Sequence, residues 1–261
     1  MKKYIRLYYY LFYYSLLSRL EYRMDFIANI IRSLSSILVG FIGFTVIFQN
    51  TRYLGGWSKE EALVLFGIFV LINEFWYIFF FLNLIRLPIY IQKGELDGLL
   101  LKPVSIQFIV SFRYALVFAL PNIFIAIFMI WYFSQVIGQI SLMKYVITGL
   151  FILNGVVLLY SMTLMLVTIS FWTVRLKAFW EFYRAITEGA RYPVDIFKGG
   201  LKLFFTFVIP IAVIFTFPAQ FLVRDLPIST ILITFLIGGI FLFLSHKFFY
   251  FGLKHYNSAS S

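Results

Sequence analysis

Long apolar runs alternate along this chain with short polar connections, and the runs have the length of membrane crossings. A helix needs roughly 20 mostly apolar residues to traverse about 30 Å of hydrocarbon. Six stretches reach that length: Met24–Phe48, Glu61–Ile85, Val104–Phe133, Met143–Val174, Leu203–Leu222 and Ile228–Phe251. The fourth is long enough to tilt or to project beyond the bilayer. Ahead of them, Leu7–Leu17 is apolar but interrupted by tyrosines, too short to span, and lacks the small-residue site of a signal peptide. Tyr8, Tyr9, Tyr10, Tyr13 and Tyr14 suit the headgroup zone, and Arg6, Arg19 and Arg23 can reach anionic phosphates. Residues 1–22 are therefore expected to form an amphipathic helix lying on the inner leaflet. The predicted fold is an all-α integral membrane domain over residues 1–261, with six transmembrane helices after that interfacial helix. No fixed-period repeat or low-complexity linker is visible, and only Asn257–Ser261 reads as a polar tail.

Composition sharpens the picture. Hydrophobic residues make up 62% of the 261 and charged residues 13%, against roughly 45–50% and 25% in soluble domains. That excludes a water-soluble enzyme, a disordered chain and a nucleic-acid-binding domain as first readings. Yet the formal net charge is +11. The placement of the cations explains it. With the N-terminus inside, sixteen of the 22 Lys and Arg residues fall in cytoplasmic segments and four in outer loops, with Arg32 and Arg113 inside spans. Such a bias orients multi-pass proteins. It predicts N-in/C-in topology in the plasma (cytoplasmic) membrane, with membrane lipid rather than nucleic acid as the partner of the charge. Cysteine is absent, which removes disulfides and thiolate chemistry.

No catalytic constellation is found. No stretch matches the phosphate-binding G-x-x-x-x-G-K-[ST] loop, H-E-x-x-H or G-x-S-x-G. The two histidines, His246 and His255, have no metal-ligand spacing. No catalytic residue, metal site or bound cofactor is expected on this chain.

Two connections assigned to the cytoplasm carry amphipathic elements. In the first, Gly94 gives a break, Glu95 and Asp97 suit the positive end of a helix dipole, and Lys102 and Pro103 close it. Leu96, Leu99 and Leu100 share one face at i, i+3 and i+4. That face suits a groove in a soluble partner and equally suits lipid. In the second, Thr173–Lys202, Glu181, Arg184 and Glu188 share a stripe of alternating sign. Phe179, Trp180, Phe182, Tyr183 and Ile186 cover much of the rest, and Gly189 and Pro193 end the element.

The sequence resembles the permeases of type-2 ABC exporters. The resemblance is carried by the six spans, the leading interfacial helix, the Gly94–Asp97 and Leu99–Pro103 segment, the stretch Glu188–Phe197, the pairs Val208–Pro210 and Phe217–Ala219, and the ending Gly252–Ser260. It implies a permease that works as a dimer, with itself or a related permease. It implies separate cytoplasmic P-loop ATPase subunits that carry the ATP and Mg. Gly94, Glu95, Leu96, Asp97, Leu99, Leu100, Lys102 and Pro103 would form the segment that couples to the ATPase, and Glu181, Arg184, Glu188 and Arg191 a second cytoplasmic contact. It also implies a bend near the outer face between the last two spans, which Pro218 would suit. An ATP-independent secondary transporter or channel would predict inverted repeats or a dense polar pathway, and neither is seen. A membrane scaffold that transports nothing would share the hydropathy.

Charges within the spans are costly and should face protein or water. Pairing of Glu74 with Arg32 or Arg113 is the favoured expectation. The alternative is a polar substrate path lined by Arg32, Glu74, Arg113, Asn83, Asn122 and Asn154. Pro121, Pro210 and Pro218 are expected to kink spans three and five.

Overall fold

The computed structural model describes residues 2–21, 23–173, 181, 183, 184 and 188–256, with side chains for all of these except 18–21, 23 and 25. The expectations for the side chains of Arg19 and Arg23, for Phe179, Trp180, Phe182 and Ile186, and for the Asn257–Ser261 tail lie outside the described residues.

The apolar pattern produces a helical bundle. Helix α1 (Lys2–Glu21) runs ahead of α2 (Arg23–Asn50), and α3 (Lys59–Trp76) follows a tight turn. Ser58 caps α3 in a reciprocal box: its hydroxyl accepts from the Glu61 N–H, and its own N–H donates to Glu61 at 2.9 Å. This satisfies two of the orphan donors at a helix start. After α3 a wide π-type turn, Tyr77–Phe81, leads through α4 (Leu82–Leu84) into three short helices: α5 (Leu87–Gln92), α6 (Leu96–Leu100) and α7 (Ile106–Phe112). The long helices α8 (Leu120–Ile137) and α9 (Leu142–Thr168) come next, and α12 (Ile228–Leu253) closes the chain. Between α9 and α12 lie α10 (Gly200–Leu203), α11 (Phe217–Val223) and the π-type stretches Phe204–Val208 and Ala212–Thr216. Among the described residues five helices are long and apolar enough to cross a membrane, and Gly200–Val208 with Ala212–Val223 forms a pair bent by 73°.

The core is built on α3, which packs most extensively against α8 and is buried from Ala62 to Ile72. Helices α2 and α12 lie at the margins and leave most of their apolar residues uncovered.

Two departures from the hydropathy reading matter. The first is within the third run. Its helix stops at Phe112 and resumes as a 3-10 turn at Val117, so α7 and α8 are separate elements. The freed backbone is paired internally. The Asn83 side chain donates to the Tyr114 carbonyl at 2.7 Å and accepts from the Tyr114 N–H at 2.8 Å, and Leu116 N–H bonds the Ile78 carbonyl. A broken helix survives in a bilayer only with such internal partners. Pro121 therefore does not kink a continuous helix; it occupies the first turn of α8, where its missing N–H costs nothing.

The second departure concerns Thr173–Leu222. Tyr183, Arg191, Tyr192 and Asp195 meet the bundle in an order that runs along α3 in the reverse direction. Tyr183 stacks on Trp76, Arg191 lies over Phe69, Tyr192 meets Phe44, and Asp195 accepts from the Trp57 indole at 2.9 Å. Trp172, by contrast, packs on Phe248, Phe251 and His255 at the opposite end of α12. Trp172 and Asp195 thus mark opposite ends of the bundle. The Gly200–Val223 pair starts and finishes at the Trp57 end: Lys202 bonds Asp195, and Arg224 bonds Glu61. It enters the bundle and turns back at Pro210. The sharp bend is at Pro210 rather than at Pro218, which sits in the first turn of α11 after the wide Ala212–Thr216 turns. A run of some 20 apolar residues reads as a crossing whether it goes straight or folds back, because hydropathy carries no direction. Arg191, Lys198 and Lys202 consequently leave the Leu96 side of the charge tally.

The positive-φ glycine Gly55 holds this end together, since a Cβ there would come within 2.9 Å of the Ile196 nitrogen. Only glycine permits both that φ and that approach.

Candidate functional site

Two places hold the chemistry: the short-helix segment at one end of the bundle and a polar cavity inside it.

The short-helix segment begins at Gly94, whose φ of +69° favours glycine, and continues as α6. Leu96 and Leu99 are buried against the chain's own core. Glu95, Gly98, Leu100, Lys102 and Pro103 are exposed, Asp97 is half-buried, and Leu101 is 87% exposed. The helical face is thus split: Leu96 and Leu99 point inward, whereas Leu100 stays at the surface. What the segment offers outward is Leu100 and Leu101 set between Glu95 and Lys102. The periodicity finds a face and cannot say what covers it; Leu101, out of phase with the leucine stripe, carried no signal.

This segment is tied to the rest of the bundle. Lys3 Nζ donates to the Pro103 carbonyl at 2.8 Å, and the Tyr4 hydroxyl accepts from the Ser105 N–H. Ser105 meets the Tyr250 hydroxyl, and Gln107 bridges His246 and Tyr160. Tyr256 packs near Asp97, and its phenol is pushed above the ordinary value by burial and then by that carboxylate. The segment that follows α6 is thus held to α1, α9 and α12 through short polar contacts.

The cavity, of about 370 Å³, lies between α2 and α3. Arg32, Ser33, Asn73, Glu74, Tyr183 and Arg191 supply its polar wall, and Phe66, Phe69 and Phe118 its apolar one. Glu74 accepts from the Asn122 amide at 2.6 Å, and the same amide bonds Ser33. Arg32 donates to Asn29 at 2.8 Å, one turn back on its own helix. Among the described residues Glu74 joins neither Arg32 nor Arg113 in an ion pair; a neutral amide meets its carboxylate instead. Arg113 is elsewhere, its guanidinium 5.2 Å from the Tyr114 ring beside α1. Asn154 is a packing residue: it donates to the Thr234 carbonyl of α12, opposite Gly238, where a Cβ would collide with its side chain.

Of the expected second contact, Glu181, Arg184 and Glu188 are exposed, whereas Arg191 turns into the cavity beside Phe69. Arg191 is not brought to the end of the bundle that carries α6. Ser33, Asn73 and Tyr183 join the cavity without having been expected there. The polar pair Asn73-Glu74 inside an apolar run was the available signal for one of them. Nothing in the sequence brings Tyr183 to Asn73, because that contact joins residues 110 apart. No group of His, Cys, Asp and Glu able to hold a metal occurs among the described residues.

No curated protein matches the chain. The family model described as an ABC-2 family transporter protein matches residues 34–260, starting within α2. The match takes in both α6 and the folded-back pair, and the chain belongs to the ABC-2 family of transporter proteins, as the membrane permease component of an ABC transporter.

Proposed function

We propose that this chain is the permease half of an ATP-driven exporter whose ATPase is a separate cytoplasmic subunit carrying ATP and Mg. The carrying observation is the outward face of α6. A five-residue helix holds two leucines in the core and projects Leu100 and Leu101 between charges, at the end of the bundle richest in Lys and Arg. An apolar anchor with a charged rim is the usual anatomy of a small docking contact. With α6 at the cytoplasmic side, both termini lie there too, because α1 and Tyr256 meet the same segment.

The substrate path, in this reading, is the cavity with Arg32, Glu74 and Arg191. It lies beside α2, whose Ile31, Leu38, Val39, Ile42 and Val46 are exposed. A second permease, identical or related, would cover that face and complete the path. Closure of the ATPase pair on ATP would push α6, and the contacts through Ser105 and Gln107 would carry the motion to α9 and α12. The ligand would shift the bundle between two states through contacts that differ in each.

The experiment is purification with native partners. The chain should carry a P-loop ATPase, and Leu101→Asp with Leu100→Asp should strip it off while the bundle keeps its thermal midpoint. If the ATPase remains bound to that variant, α6 is not the docking contact. Leu96→Asp and Leu99→Asp are unsuitable for this purpose, because burying a charge at those positions attacks the fold itself.

A further inference from the structure

At the Leu96 end a groove of about 670 Å³ runs between α1 and the segment that follows α6. Its charged wall is made only of cations, with Tyr10 beside them: Lys2, Lys3 and Arg6 from α1, Lys102 beside Pro103, and Arg113 at the end of α7. Leu7, Leu11, Val104 and Ile109 form its apolar wall. A second cavity of about 390 Å³ shares Leu11 and Arg113 with it and adds Arg86. Among the described residues none of these six cations is within ion-pair distance of a carboxylate. Their partners are neutral: Lys3 gives one of its three protons to the Pro103 carbonyl, Arg6 lies over Tyr10, and Arg86 and Arg113 both lie over Tyr114. Two arginines on one ring repel each other, as do five cations around one groove, unless an anion sits among them.

We propose that this groove is a site for one anionic glycerophospholipid of the inner leaflet, its phosphate headgroup among Lys3, Arg6, Lys102 and Arg113 and its acyl chains along Leu7, Leu11, Val104 and Ile109. The charge is complementary, and the wall changes from polar to apolar as such a lipid does. Its position fits, since α1 is the element expected at the headgroup level and Tyr9, Tyr13 and Tyr14 are exposed along it. A soluble anion would satisfy the cations but leave the apolar wall bare. The bound lipid would join α1 to Lys102, the C-terminal neighbour of α6.

The test uses the full chain purified from bilayers of defined composition, with retained lipid counted by native mass spectrometry. Phosphatidylglycerol should stay bound at about one per chain after phosphatidylcholine has been stripped. Each cation near a membrane surface is worth about fivefold in affinity for anionic lipid, so Lys2→Gln, Lys3→Gln and Arg6→Gln together should weaken retention on the order of 100-fold. Lys3→Arg with Arg6→Lys keeps the charge and should keep the lipid, which separates loss of charge from loss of α1 packing. Equal retention of phosphatidylcholine would overturn the proposal. So would displacement of the lipid by inorganic phosphate, which would make this an anion site, or its displacement when the ATPase docks, which would make the cations part of that interface. Retention is read on the isolated chain, so its failure leaves the docking of an ATPase on Leu101 untouched.

Discussion

The two ends of the bundle are built on opposite principles. At the Trp57 end the chain pairs several of its own charges. All three ion pairs among the described residues are here: Lys144 with Asp225, Lys202 with Asp195, and Arg224 with Glu61. Glu61 serves twice, closing the first turn of α3 and holding Arg224, which also donates to the Gly56 carbonyl and lies 4.8 Å over the Trp57 ring. At the Leu96 end the helices are short, Leu101 is bare, and six cations have no carboxylate within ion-pair distance among the described residues. A surface that satisfies itself gains nothing from an outside partner. A surface left charged and apolar gains a great deal, and the proposed docking and lipid sites both lie at the Leu96 end.

The contrast breaks first at Trp57. Its side chain is fully buried beneath Arg224 and donates to Asp195. Trp57→Ala should cost about 3–5 kcal/mol, read as a lowered unfolding midpoint in detergent or bicelles. Leu101→Asp at the other end should change that midpoint by less than about 0.5 kcal/mol, as exposed substitutions do. If the two variants unfold alike, the ends do not differ in the way described. Asn83→Ala is next, at about 2 kcal/mol, because it orphans both the N–H and the carbonyl of Tyr114 where the third apolar run is broken. Arg224→Ala should cost about 1–2 kcal/mol. It removes bonds to Glu61 and Gly56 but leaves Glu61 its bond from Ser58, and the pair is partly open to solvent.

The number and rough place of the helices were legible because a bilayer imposes length and composition on whatever crosses it. The folded-back pair was not, although its punctuation was present: Gly199 and Gly200, then Pro210 after Ile209. The stretch that climbs beside α3 was hidden for the opposite reason. Glu181, Arg184, Glu188 and Arg191 made it read as a solvated loop, and the aromatic contacts that hold Tyr183 and Tyr192 against α3 and α2 join residues more than 100 apart. The polar cavity was half legible. An isolated Glu74 in an apolar run demands a partner, but the choice of Asn122 over two arginines depends on how α8 packs on α3. For α6, the leucine spacing gave the helix and its stripe, and only the packing of that stripe inward revealed Leu101 as the outward residue.

The gentlest test of the contrast is alkaline pH. Tyr8 packs α1 onto Phe79 and Phe112, and burial pushes its phenol from 10.0 to about 12. Below pH 10 the phenol is neutral whether α1 is docked or released, so docking is at full strength. Between pH 10 and 12 the released helix ionises while the docked one stays neutral, and docking weakens as pH rises. The Trp57 end is fixed differently: hydrogen bonding to Glu61 raises Arg224 above its ordinary value, so that arginine stays charged across this window. Spin labels at Ile5 and Phe251 should therefore show a distance distribution that broadens from pH 10 upward in the wild type. Tyr8→Phe keeps the ring contacts and removes the titrating group, and its distribution should stay narrow. Equal broadening in both proteins would mean that the other tyrosines and lysines of α1, rather than the buried phenol, govern how this end lets go.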